Sequence, residues 1–119
     1  MKTWIFLAAV VMLGLVGACA QPQPINIPQA AVKSARTSAD HNALAKRYDE
    51  AARQMQAKAQ EHKTELEEYV YRSDHYGKRA QDLQAHCRGL IRYYEQAAEA
   101  NREMAEIHRQ IAGEARQYR

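Results

Sequence analysis

From Tyr76 onward, mostly apolar or small residues return at alternating steps of four and three: Tyr76, Ala80, Leu83, Cys87, Leu90, Tyr94, Ala97, Asn101, Met104, His108, Ile111, Ala115 and Tyr118. This is heptad spacing, which keeps one stripe of a helix facing a partner. An earlier line repeats it: His41, Ala45, Tyr48, Ala52, Met55, Ala59, His62, Leu66 and Tyr69. The spacing predicts two long helices, at about 38–72 and 78–117. Between them Ser73, Asp74 and Gly77 form a turn-like cluster at about 73–77. Thr37 or Ser38 can cap the first helix, and Asp40 suits its first turn. Gly89 and Gly113 lie inside the second helix at a small cost in stability.

Folding the chain back on itself tests whether the two stripes belong together. With the reversal centred between Asp74 and His75, His62 faces Cys87, His41 faces His108, Tyr48 faces Asn101 and Met55 faces Tyr94. The layers between pair Leu66 with Leu83, Ala59 with Leu90, Ala52 with Ala97 and Ala45 with Met104. Stripe meets stripe throughout, so the expected fold is all-α, an antiparallel two-helix coiled-coil hairpin. The second helix is also apolar beside its stripe, with Ile91, Ala98, Ala105 and Ala112 on one edge and Tyr93, Ala100 and Ile107 on the other. That face is wider than one partner requires, and two helices enclose little core. Self-association, into a four-helix bundle, is the natural expectation. Arg88, Arg102, Arg109 and Arg116 share an outer heptad position and read as a solvated face.

The first residues change the picture from a free helical pair to an anchored one. Lys2 precedes an apolar run, Ile5 to Val16, of signal-peptide length, and the run ends in Val16-Gly17-Ala18-Cys19. This start resembles the bacterial lipoprotein signal peptides. The resemblance covers about the first twenty residues and implies cleavage before Cys19 and acylation of its sulfur and amino group, palmitate being one such acyl chain. Ala20 in the following position is similar to the outer-membrane default of that class. Several acyl chains on one residue anchor stably where one does so only marginally. Residues 19–37 hold all three prolines and read as an extended tether. The expected organisation is therefore a signal peptide at 1–18, a lipidated tether at 19–37 and a helical hairpin at 38–119, displayed in the periplasm.

Removing residues 1–18 of 119 leaves 101, with sixteen basic residues once Lys2 is gone, against fourteen acidic ones. So mild a balance does not point to nucleic acid. Ala, Glu, Gln, Arg and Lys dominate the remainder, as in long helices. With Cys19 acylated, Cys87 is left alone in an oxidising compartment, where a cysteine is buried, paired between chains or reactive.

Two groups of residues carry candidate chemistry. Cys87, flanked by His86 and faced by His62, offers a thiolate and imidazoles suited to Zn²⁺ or Cu⁺. Nearer the open end His41 faces His108, with Met104 one turn away, a set with copper-like character. Against this, Cys, His, Tyr and Asn are common in small, partly wet helical seams, where a polar residue fixes register. Glu65, Glu67 and Glu68 read as solvated charge. A cysteine–histidine pair can activate a thiolate, but a helical hairpin offers no cleft or oxyanion hole, so an enzyme is not expected. The layout is similar in outline to small envelope lipoproteins that serve as spacers or accessory subunits. It carries no terminal lysine for attachment to peptidoglycan. The leading expectation is an anchored structural or interaction module without a cofactor, with the bilayer and either further copies or an envelope protein as partners. The alternative is a metal-binding or metal-sensing hairpin.

Overall fold

The structure, a computed structural model, describes residues 26–118. The expected signal peptide, the expected acylation site at Cys19 and the first part of the expected tether lie outside the described residues. The described chain is helical apart from short non-helical pieces at 26–28 and 35–37 and the turn near Arg72, and contains no strand. A short helix, α1 (Gln29–Ser34), leads into the long α2 (Ser38–Tyr71). A single helical turn, α3 (Ser73–Tyr76), and a 3₁₀ turn, Gly77–Arg79, then connect to the long α4 (Ala80–Gln117). No helix among the described residues is long and apolar enough to cross a membrane.

Helix α1 occupies part of the stretch expected as extended tether. Pro28, at its N-cap, has extended backbone, and the residues after it, Gln-Ala-Ala-Val-Lys-Ser, include strong helix formers. Ala35, which ends α1, and Leu44 on α2 are both buried where the two helices meet. The start of α2 is fixed by a capping box. The Thr37 hydroxyl accepts from the Asp40 backbone N–H at 3.1 Å, and the Asp40 carboxylate accepts from the Thr37 N–H at 2.9 Å. A further backbone donor, the Arg36 N–H, lies 3.0 Å from the same carboxylate. These donors hold the Asp40 carboxyl at a pKa of about 2.

The two long helices pack against each other along their length. At 34 residues, α2 is about 50 Å long. Polar pairs on one flank step down α2 and up α4 together: Lys63 meets Glu95 at 2.7 Å, Gln56 meets Arg102 at 3.0 Å, and Asp49 meets Arg109 at 2.8 Å. Successive pairs are one heptad apart on both helices and run in opposite directions, as in an antiparallel hairpin.

The inward stripe of α4 differs from the expected one by a rotation. Cys87 and His108 are buried and Tyr94 and Asn101 half-buried, as their spacing requires. The alternate positions are Ile91, Ala98, Ala105 and Ala112, all buried, whereas Leu90 and Met104 are exposed. On α2, Ala45, Ala52 and Ala59 are buried as expected. Alanine explains the rotation. With alanines presented from both helices the backbones approach closely, and a larger Leu or Met in those layers would hold them apart.

The reversal also falls later than its expected centre. Helical backbone continues through Tyr76, and Gly77 turns the chain at φ +56°, a value L side chains rarely adopt. Facing residues shift accordingly. His41 still meets His108, but Tyr48 stacks on His108 rather than facing Asn101, and Tyr94 stacks on His62 rather than facing Met55.

Candidate functional site

Helix α2 places His62 and Glu65 three residues apart, on one face and within reach of each other. Their side chains are joined, His62 Nδ1 lying 2.8 Å from a Glu65 carboxylate oxygen. Across the seam α4 delivers Cys87, only 4 % exposed, whose Sγ donates toward the same oxygen at 3.8 Å. One ligand atom from each of the three residues lies within 4.8 Å of the other two. Tyr94 holds the His62 ring from the α4 side, stacked at 5.6 Å between ring centres and 12° between planes. Burial pushes the Cys87 thiol pKa up, and the neighbouring Glu65 carboxylate adds to the rise.

Glu65 is thus part of this cluster rather than only solvated charge. It is half-exposed, which is how its place in the sequence disguises it. The available signal was its position three residues after His62 on the edge of the stripe. His86, expected to join Cys87, is exposed on α4 and takes no part in the group.

The second expected set lies near the open end. His41 and His108 approach through their Nδ1 atoms at 3.0 Å, so one ring donates and the other accepts. Tyr48 stacks on His108 at 5.4 Å. Burial, followed by repulsion from His41, lowers the His108 pKa. Met104, the third member, is exposed on another face of α4.

Two further surfaces flank these groups. Arginines expected to be simply solvated reach across to α2. Besides Arg102 and Arg109, Arg116 Nε donates to Ser38 Oγ at 3.1 Å, while Arg88 reaches Gln84 within its own helix. All are solvent-exposed bonds, each of small energetic weight. On another face of α4, Leu90, Tyr93, Met104 and Ile107 are exposed, Tyr93 by 63 % and Ile107 by 47 %. With exposed Ala100 and half-buried Ala97 and Ile111 they step by three and four, a second heptad stripe that α2 covers only in part. A shallow depression between α1 and α2 is lined by Ala31, Ser34, Asp40, Ala43, Leu44 and Arg47, none of them a candidate ligand.

No family model matches the chain, and no curated protein and no solved structure matches it either.

Proposed function

We propose that the protein is a lipid-anchored interaction module of the bacterial cell envelope, a coiled-coil hairpin that associates with further copies of itself. The observation that carries this reading is the outward stripe of α4, from Leu90 to Ile111. It spans about 30 Å of helix and has the spacing a partner helix reads. The flanking positions Gln96, Glu103 and Gln110 carry little charge, so like copies approach with little repulsion. Because the inward and outward stripes are neighbours on α4, a second hairpin laid on the outer one extends the seam into a four-helix bundle. Acylation of Cys19, supported by the lipobox-like Val16-Gly17-Ala18-Cys19, would hold copies on one membrane surface, in this reading the periplasmic face of the outer membrane. There the tether raises their effective concentration.

Two measurements test the parts separately. Replacing Cys19→Ser is expected to abolish lipid labelling and release the protein from the membrane fraction; undiminished label rules out the anchor. In a Cys87→Ser background, Tyr93→Cys is expected to form disulfide-linked dimers in cells, and Leu90→Glu with Ile107→Glu to suppress them. Absence of the dimer in membrane-anchored protein rules out self-association through this stripe.

A further inference from the structure

We infer that His62, Glu65 and Cys87 form a Zn²⁺ site of three protein ligands, with a fourth position open to solvent. The inference stands apart from the interaction reading, since the cluster lies across the seam between α2 and α4.

Geometry is the first argument. Tetrahedral zinc takes sulfur at about 2.3 Å and nitrogen or oxygen at about 2.0–2.2 Å, which sets its ligand atoms roughly 3.3–3.7 Å apart. Here the nitrogen–oxygen distance is 2.8 Å and the sulfur–oxygen distance 3.8 Å, with all three ligand atoms inside 4.8 Å. Placing the ion between them asks His62 and Glu65 to part slightly along their hydrogen bond and the Cys87 sulfur to draw in toward them. The second argument is support. His62 is held by the Tyr94 ring, and Cys87 is fixed in the buried seam, so two of the three ligands are already oriented. Access is the third. The Glu65 side chain is 50 % exposed and forms the solvent side of the cluster, leaving an entry path and room for a water ligand.

Donor chemistry selects the metal. A carboxylate oxygen, an imidazole nitrogen and a thiolate suit a borderline ion such as Zn²⁺, whereas Cu⁺ favours sulfur-rich sets. The soft donor that would argue for copper, Met104, lies exposed toward the other end of α4. His41 and His108 share a single hydrogen bond with each other and belong to no three-ligand group among the described residues. Binding displaces the Cys87 thiol proton to solvent, while neutral His62 carries its single N–H proton on Nε2 so that Nδ1 is free to ligate the ion.

The test uses the full chain, purified in detergent, with Zn²⁺ or Co²⁺ added alone. One equivalent of Co²⁺ is expected to give tetrahedral ligand-field bands together with a thiolate-to-cobalt charge-transfer band that Zn²⁺ abolishes. Cys87→Ser and His62→Gln should each weaken binding beyond the roughly tenfold to hundredfold that loss of an outer-shell partner costs. Glu65→Gln, at a half-exposed position compatible with the helix, should also weaken it, and His86→Ala should leave it unchanged. A spectrum without the charge-transfer band overturns the site. So does affinity that survives Cys87→Ser or Glu65→Gln, or that falls instead with His41→Gln.

Discussion

At the residue scale the two polar pairs in the seam behave differently. Cys87 is a small thiol, only 4 % exposed and with its pKa pushed upward. Native, metal-free protein is therefore expected to react slowly with a thiol reagent and quickly once denatured; fast labelling of folded protein would contradict burial of the sulfur. Replacing it, Cys87→Ala, should cost about 1 kcal/mol, because little volume is lost. His108 has a pKa below its ordinary 6.5 in the folded chain. The unfolded chain therefore binds the proton more readily, and the stability gained from the neutral ring is complete above pH 6.5. It is lost as pH falls from there through the lower folded pKa. Two protonated rings would also set two donors against each other at the 3.0 Å Nδ1 contact with His41. Thermal melts should show a decline below pH 6.5 that is smaller in His108→Gln. An unaltered pH profile in that variant would assign the decline elsewhere.

Elements were largely legible in the chain, and their relative rotation was not. Heptad spacing marked both long helices, and the Thr37–Asp40 box was visible as a cap beside an acidic first turn. What spacing leaves open is which edge of a broad apolar face turns inward. Leu90 and Met104 outrank Ala98 and Ala105 in hydrophobicity, yet the alanines are buried because close approach of two helices favours small side chains over large ones. Glu65 was missed for a related reason: periodicity places a residue around one helix but not against the other. Two glycine substitutions separate backbone from packing. Neither Gly77 nor Gly89 has an atom within 4 Å of an added Cβ. Gly77→Ala should destabilise by about 1–3 kcal/mol from its positive φ alone, while Gly89→Ala, in helical backbone, should stabilise by about 0.4–1 kcal/mol. Thr37→Ala should cost about 1 kcal/mol by removing half of the capping box. Denaturant titrations of the three variants check both signs and sizes.

For the whole molecule, the contacts form a series ordered by distance along the chain. Gln84 bonds the Tyr69 carbonyl fifteen residues away, Cys87 reaches Glu65 across 22, Arg102 reaches Gln56 across 46, and Arg109 reaches Asp49 across 60. His41 and His108 close at 67 and Ser38 and Arg116 at 78. Each pair formed near Gly77 shortens the loop that the next must close, so amide exchange should be slowest midway along the helices and fastest near Ser38 and Arg116. Uniform protection along α2 would contradict that order. The same series has a mechanical consequence. Both ends of the described chain lie on the side away from the turn. A force drawing them apart peels the helices one contact at a time, beginning with Arg116–Ser38. A force applied between the N-terminal end and Gly77 instead runs along α2 itself, which lengthens only by breaking its own helical hydrogen bonds and leaving its seam with α4. Single-molecule pulling should find the first direction yielding at low, nearly constant force and the second holding until it fails abruptly. Held at its N-terminal end, the hairpin is thus compliant or stiff according to where the opposing force is applied.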